Sequence, residues 1–137
     1  MSTLTLDEIR KRFEESNYFQ QAGFIIERFD EDGAKLKLEL QPHHLNVNGT
    51  LHGAVHAALL DQIFSMHIRS TTRANCSTIN LNVQYLTPCH EGTVYATAKF
   101  LQEGYRTAIL EGEVVHENGT VIANGIGIFK LVRNSKR

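Results

Sequence analysis

A long apolar segment near the middle of the chain constrains the fold most. From position 52 to about position 71 the sequence has no proline, one glycine (Gly53), and many alanine, leucine, isoleucine, phenylalanine and methionine residues. Its apolar positions surround a helical wheel almost completely, which is typical of a buried helix. Such a helix would be about 30 Å long, close to the diameter of a small domain. We therefore predict one central helix around which the rest of the chain packs.

Six segments with strand-like patterns flank this helix. Two precede it, at 24–29 and 35–40, and four follow, at 79–85, 93–102, 105–116 and 120–132. In the clearest cases apolar and polar residues alternate, as expected for a half-buried strand. The pair Asn118-Gly119 is a strong signal for a hairpin turn. An amphipathic helix is predicted over 5–17, within an N-terminal helical region at 1–20.

Together these elements predict an α+β fold, in which an antiparallel sheet of about six strands wraps around the long helix. The length of 137 residues suits a single domain over 1–137. Because one helix cannot cover both faces of such a sheet, the outer face is expected to need a partner. The pattern therefore favours self-association.

Composition excludes several classes of protein. A formal net charge of -1 provides no broad basic surface for nucleic acid or acidic lipid, although 133–137 form a short basic tail. Cys76 and Cys89 lack the spacing of a disulfide framework and are predicted to be reduced thiols. The beginning of the chain has no signal-peptide core, and no apolar run reaches the roughly 20 residues of a membrane span. We expect a soluble, cytoplasmic protein.

Asp61 is the first unusual feature of the central helix. A carboxylate in the most apolar helix of the chain is costly unless it is paired or has a function. Its neighbours on the helical wheel are small, which leaves room beside the carboxylate; they are Ala54, Ala57, Ala58 and Ser65. We interpret Asp61 as a functional group rather than a core residue.

The beginning of the same helix is the second unusual feature. His52-Gly53 presents backbone N–H groups without intrahelical partners, at the positive end of the helix dipole. Gly53 has no Cβ and allows a ligand to approach the backbone closely. This position could therefore stabilise the oxyanion formed when a carbonyl is attacked.

Geometry separates these two features within one chain. Gly53 and Asp61 are eight residues apart, or about 12 Å along one helix. An attacking atom must lie within roughly 3–3.5 Å of the carbonyl carbon. Two subunits related by a two-fold axis could bring the helix start of one to Asp61 of the other. The site is therefore predicted at a dimer interface.

The run from Asn46 through His52-Gly53 to Asp61, followed by the strand that contains Thr78, resembles the signature of PaaI-like hotdog-fold acyl-CoA thioesterases. That family has an Asn, then His-Gly-Gly, and a helical Asp eight residues after the first Gly of the pair. The resemblance extends from about residue 23 to residue 132. One departure is Ala54, which stands where the family has the second Gly.

The resemblance implies hydrolysis of an acyl-CoA thioester to the free acid and CoA. Asp61 would be the general base or nucleophile, and the Gly53 N–H would polarise the carbonyl. Asn46 would orient the thioester or water, His52 would shape the helix start, and Thr78 would help hold water. The resemblance further implies a homodimer or a dimer of dimers (a homotetramer), with CoA as part of the substrate and no cofactor.

Several alternatives stay open. Asp61 could be a structural carboxylate, and Thr78 an ordinary strand residue. His52 and His56 have the i, i+4 spacing of two zinc ligands, but no third ligand follows, so we predict no metal. Arg106 could contact a CoA phosphate or be a solvated charge. The chain could also be a hotdog hydratase or dehydratase, or a module that binds acyl-CoA without cleaving it.

Overall fold

The structure is a computed structural model in which residues 4–133 are described. The chain begins with two short helices, α1 (Leu6–Glu15) and α2 (Asn17–Ala22). They replace the single helix predicted over 5–17. Residues 1–3 of the predicted helical region at 1–20, and residues 134–137 of the predicted basic tail, lie outside the described residues.

Capping side chains explain the division into two helices. Thr5 and Glu8 form a reciprocal capping box that starts α1. Ser16 ends α1 in an extended conformation, and its hydroxyl then accepts a hydrogen bond of 3.4 Å from the Phe19 N–H. A serine that caps the next helix therefore interrupts an otherwise continuous helical pattern.

All six predicted strands form, and they make one antiparallel sheet. The remaining elements are β1 (Ile25–Asp30), β2 (Gly33–Glu39), a short 3-10 helix (Pro42–His44), α3 (Gly53–Thr72), β3 (Asn75–Tyr85), β4 (Thr93–Glu103), β5 (Thr107–His116) and β6 (Val121–Val132). The strand order is β1-β2-β4-β5-β6-β3. Helix α3 packs against one face of the sheet, so the predicted α+β architecture with a central helix is confirmed.

Close packing between α3 and the sheet depends on glycines in the strands. Phe64 is fully buried. A Cβ atom at Gly127 or at Gly112 would lie 2.7 Å from the Phe64 ring. These glycines thus make space for the ring, which is the packing role expected of glycine in a strand interior.

The outer face of the sheet is largely polar, as the alternation along the strands implies. Strands β3, β4, β5 and β6 form a groove there that is lined largely by polar and charged side chains. Lys99 and Glu111 form an ion pair across it at 3.1 Å. A polar face of this kind does not require an apolar cover. The polar outer face therefore gives no support to the expectation that a partner must cover it.

Strand β3 is an edge strand with an irregularity at Ile79. The pairing with β6 shifts register between Thr78 and Asn80, so Ile79 is an extra, exposed residue. Strict alternation would place Thr78 on the face opposite Leu81. The bulge reverses the alternation, so that Thr78 and Leu81 both face α3.

In the part of the chain that the structure describes, no helix combines the length and the apolar character needed to cross a membrane.

Candidate active site

Asp61 lies on the side of α3 that faces β3, and Thr78 contacts it. The Thr78 hydroxyl donates a hydrogen bond of 2.7 Å to Oδ1 of Asp61. Asp61 is half-buried and Thr78 is exposed. In the single chain the carboxylate is only partly covered, because the sheet leaves the Asp61 side of α3 partly open.

A pocket of about 390 Å³ opens beside this pair. Helix α1 forms one wall, α3 the floor, and the first residues of β3 the opposite wall. Its lining combines apolar side chains with arginines and hydroxyl groups: Leu4, Ile9, Arg12, Phe13, Ser16, Asp61, Gln62, Ser65, Arg69, Arg73, Ala74, Asn75, Cys76, Thr78 and Phe129. The volume falls within the range of small-molecule sites, about 300–1,000 Å³.

The start of α3 forms a second group of functional side chains. His52 is the N-cap, and its Nδ1 accepts a hydrogen bond of 3.0 Å from the Ala54 N–H. The His52 carbonyl accepts from the N–H groups of Val55 and His56. Within residues 4–133 the Gly53 N–H has no acceptor, so it is free for a ligand.

Tyr85, at the end of β3, covers this helix start. A Cβ atom at Gly53 would lie 3.3 Å from Cε1 of Tyr85, so the glycine permits the ring to approach. The Tyr85 ring also meets His56 edge-on, with centroids 5.4 Å apart. His52, whose ring caps the same helix start, is placed to shape it, as predicted from the sequence.

His56 is arranged as a neutral core residue. Its Nδ1 lies 3.1 Å from the His52 carbonyl and donates to it, which leaves Nε2 as an unpartnered acceptor among the described residues. Burial lowers the pKa of His56 below its usual value. Residues 4–133 contain no group of three or more His, Cys, Asp or Glu side chains arranged to hold a metal ion.

Asn46 does not reach Asp61 within one chain. Its side-chain oxygen accepts hydrogen bonds from the N–H groups of Asn48 and Thr50, at 2.9 and 3.1 Å, and from the Thr50 hydroxyl at 3.3 Å. Asn46 thus holds the turn before α3 in shape. Its predicted part in orienting substrate or water stays a prediction.

Arg106 also lies outside the Asp61 pocket. It is exposed in the turn between β4 and β5, and its carbonyl accepts a hydrogen bond from the Leu131 N–H. Leu131 pairs with Cys76 at the pocket wall. The turn is therefore two strand spacings, roughly 10 Å, from the pocket, and contact between Arg106 and a CoA phosphate stays a prediction.

The two predicted thiols are free and partly buried. Cys76 lies against the pocket, with its Sγ 3.6 Å from the Ser65 hydroxyl oxygen. Burial raises the pKa of the Cys76 thiol, an effect only partly offset by the charge of Arg69. A thiol held in its protonated form is a poor nucleophile.

Two residues of the site were not singled out from the sequence. Arg69 follows Asp61 at i+8 on the same helical face, and this spacing was the available signal. Tyr85 is the last residue of β3. Its proximity to Gly53 depends on α3 and β3 running antiparallel over their full length, which periodicity does not predict.

Two known proteins are similar in sequence to this chain over most of its length. A protein of Sulfurisphaera tokodaii with a provisional esterase name is 29% identical over 132 residues, covering 96% of this chain and 99% of the relative. Human acyl-coenzyme A thioesterase 13 is 27% identical over 128 residues, covering 90% of this chain and 91% of the relative.

A solved structure has the same fold. The Escherichia coli PaaI protein, from the phenylacetic acid degradation operon, superposes with a TM-score of 0.84 at 21% identity, covering 92% of this chain and 91% of that chain. The model of the thioesterase superfamily matches residues 48–123, which include the start of α3, Asp61 and Thr78. The predicted hotdog fold is confirmed, and the chain belongs to the thioesterase superfamily.

Proposed function

We propose that this protein is an acyl-CoA thioesterase, which hydrolyses an acyl-CoA to the free carboxylic acid and CoA. The observation that carries the proposal is the Asp61 carboxylate, which Thr78 holds at 2.7 Å beside an open pocket. Membership of the thioesterase superfamily and the similarity to human acyl-coenzyme A thioesterase 13 support the substrate class.

Asp61 acts in one of two ways. As a general base it removes a proton from water while the water oxygen bonds to the carbonyl carbon. As a nucleophile its own oxygen attacks, and water then cleaves the mixed anhydride. In both routes the C–S bond breaks and the sulfur leaves as CoA thiol after protonation. The Gly53 N–H stabilises the oxyanion, and Thr78 positions the Asp61 carboxylate.

A dimer built on β3 brings the two groups together. Thr78 contacts Asp61 near one end of β3, and Tyr85 contacts Gly53 at the other end. If two β3 strands pair antiparallel about a two-fold axis near Leu81, the Tyr85 end of one strand lies beside the Thr78 end of the other. Gly53 of one subunit then faces Asp61 of its partner, which gives two sites per dimer.

The open edge of β3 supports this arrangement. Ile79, Tyr85 and Leu86 are 58%, 57% and 53% exposed. An eleven-residue edge strand with exposed apolar side chains is a template for pairing with another strand. We also propose that two such dimers associate into a tetramer. The proposed location of the protein is the cytoplasm.

The remaining assignments follow the same scheme. Asn46 and His52 are proposed to shape the surface against which the thioester lies, and Arg106 to contact a CoA phosphate. The proposed reaction takes water as its second substrate and assigns no role to a metal or cofactor.

Thiol release from a panel of acyl-CoAs, with Asp61→Asn as the paired variant, tests the proposal. Asparagine keeps the size of the side chain and its capacity to accept from Thr78, but it is neither a base nor a nucleophile. We expect the wild type to release thiol from at least one acyl-CoA, and kcat to be at least about 10²-fold lower in Asp61→Asn.

Other outcomes separate the alternative functions. Normal turnover by Asp61→Asn would remove Asp61 from the mechanism. Addition or loss of water at the acyl chain without thiol release would favour a hydratase or dehydratase. Saturable binding of an acyl-CoA without either reaction would favour a binding module.

A further inference from the structure

The pocket beside Asp61 contains a fixed positive charge, the guanidinium of Arg69. Its Nε donates to the Ser65 hydroxyl oxygen at 3.0 Å, and Nη1 donates to Oδ1 of Asn75 at 3.0 Å. Its Nη2 donates to the Cys76 carbonyl at 3.1 Å. The Phe13 ring lies below the guanidinium, 5.9 Å from ring centroid to Cζ. The position of the cation is therefore set before any ligand arrives.

No acidic side chain of residues 4–133 forms an ion pair with this cation. All three of its hydrogen-bond acceptors are uncharged, and none of the ion pairs among the described residues includes Arg69. A guanidinium has five N–H donors. Three are used, so two remain for a ligand on a half-buried cation. Such a group favours a carboxylate or phosphate, which it binds with charge-assisted hydrogen bonds.

Arg69 is also close to the reacting end of the pocket. Asp61, Ser65 and Arg69 follow one another at i, i+4 and i+8 on one helical face. Because Nε of Arg69 reaches back to Ser65, the guanidinium lies about one helical turn, ~6 Å, along α3 from Asp61. The other two arginines of the pocket contribute less: Arg73 is paired with Glu31 at 3.6 Å, and Arg12 is exposed.

We infer that this pocket receives a short acyl group that ends in a carboxylate, so that the substrates are CoA thioesters of short dicarboxylic acids. The inference rests on the proposed function. With the thioester carbonyl at Asp61, the distal carboxylate accepts from the two free N–H groups of Arg69. The positive charge offsets the repulsion that Asp61 would exert on a second anion in the same pocket.

A CoA phosphate presents the same chemistry, but the position of Arg69 favours the acyl carboxylate. The phosphates are joined to the sulfur through the whole pantetheine arm, whereas Arg69 is about one helical turn from Asp61. A short dicarboxylic acyl group spans that gap. The pantetheine arm would have to fold back on itself to do so.

The first experiment compares succinyl-CoA with butyryl-CoA, which have equal chain lengths and end in a carboxylate or a methyl group. Thiol release by the wild type is corrected for spontaneous hydrolysis measured without enzyme. We expect kcat/KM to be about 10- to 100-fold higher for succinyl-CoA, the range expected for hydrogen bonds to a charged group. Equal or lower values for succinyl-CoA would overturn the inference and leave the proposed function intact. Cleavage of neither thioester would overturn the inference, and the panel of acyl-CoAs would then decide separately whether the proposed function holds.

The second experiment changes Arg69. In Arg69→Met the ratio of kcat/KM for succinyl-CoA to kcat/KM for butyryl-CoA should fall to about one, and Arg69→Lys should restore part of the preference. Arg10→Met is the matched control, because Arg10 lies on α1 and pairs with Glu14 at 3.2 Å outside the pocket. Melting temperatures of all variants show whether the contacts with Asn75 and Cys76 are needed for folding. A preference that survives in Arg69→Met would overturn the inference.

The third experiment identifies which anion Arg69 binds. Succinyl and butyryl thioesters of pantetheine carry no phosphate. If Arg69 binds the acyl carboxylate, Arg69→Met abolishes the preference in this series as it does in the CoA series. If Arg69→Met has the same effect on both CoA thioesters and none on the pantetheine thioesters, the phosphate is its ligand and the inference fails.

Discussion

Thr78 shows how much a single hydroxyl can determine at this site. It donates to Oδ1 of Asp61 and leaves Oδ2 available to water or to the thioester. Thr78 is exposed, so its own burial contributes little to stability. Its interaction with Asp61 therefore concerns orientation more than folding.

Replacement of Thr78 tests this interpretation. In Thr78→Val the Asp61 carboxylate loses its donor, and we expect kcat to fall by about tenfold, the equivalent of one hydrogen bond. Thr78→Ser keeps the hydroxyl and should retain most of the activity. Steady-state thiol release measures both variants, and unchanged kcat in Thr78→Val would make Thr78 an ordinary strand residue.

At this scale the sequence pointed to Asp61 and Thr78, which the structure brings into contact, but it did not predict how far Asp61 is covered. The roles proposed for His52 and Gly53 stay predictions. The helical wheel shows small residues around the carboxylate, and small residues are compatible with a buried site or an open one. The sheet decides between these, because it covers only part of α3. No periodicity within the helix contains that information.

Among the secondary-structure elements, β3 differs most from its predicted pattern. Alternation along 79–85 predicts a strand, and the strand is present. Alternation also places Thr78 away from α3, and the bulge at Ile79 reverses this. A bulge is one extra residue in a pairing of two strands, so it depends on β6 and cannot be predicted from β3 alone.

At the start of α3, Gly53→Pro is a substitution that removes the N–H donor of residue 53 and should change little else. Gly53 is the first helical residue, a position where proline is favoured. His52 has φ -65° and ψ 137°, an extended conformation that suits a residue before proline. Gly53→Pro should therefore keep α3 and lose the N–H proposed to bind the oxyanion.

Gly53→Ala is the matched control for this variant. It adds the same Cβ, 3.3 Å from Tyr85, but keeps the N–H. We expect kcat in Gly53→Pro to be about 10²–10³-fold below that of Gly53→Ala. Circular dichroism shows whether α3 is intact, and equal kcat in both variants would exclude the Gly53 N–H as the oxyanion donor.

For the whole molecule, the distance between Gly53 and Asp61 predicts that each site is shared. Mixing two inactive variants tests this, one with Asp61→Asn and the other with Gly53→Pro. After unfolding and refolding together, half of the dimers are mixed, and each mixed dimer has one intact site of two. We expect about a quarter of wild-type activity from this arrangement. An inactive mixture that still contains mixed dimers would place both groups in one chain.

Buried histidines make the stability of the whole molecule depend on pH. His44, His56 and His67 are buried, and burial lowers the pKa of each below the usual 6.5. Above pH 6.5 these groups are neutral in the folded and the unfolded state. Below pH 6.5 the unfolded state binds protons before the folded state does. The free energy of unfolding therefore decreases as the pH decreases, by at most about 1.4 kcal/mol per pH unit for each histidine.

Urea unfolding at pH 7.5 and 5.5 measures this loss. We expect His67→Leu to reduce the difference between the two pH values, since Nδ1 of His67 is buried without a partner among the described residues and lies near the charge of Arg28. His90→Leu is the control, because His90 is exposed. An equal difference in wild type and His67→Leu would remove His67 from the effect.

The overall architecture was the most predictable level. Periodicity gave the central helix and all six strands, since each depends on residues close in sequence. The division at Ser16 was not predicted, and neither was an outer face that needs no partner to cover it. Both depend on how an element meets its surroundings, through a cap in one case and an ion pair between neighbouring strands in the other.

The bulge at Ile79 has a consequence for newly made chains. At the opposite margin of the sheet, β1 has a similar interruption between Ile26 and Arg28. Both outermost strands are thus irregular, and a bulge twists an edge strand, so that only a strand of matching shape pairs along it. A second copy of β3 has that shape, and we expect the irregularity to disfavour the open-ended strand addition that produces fibrils.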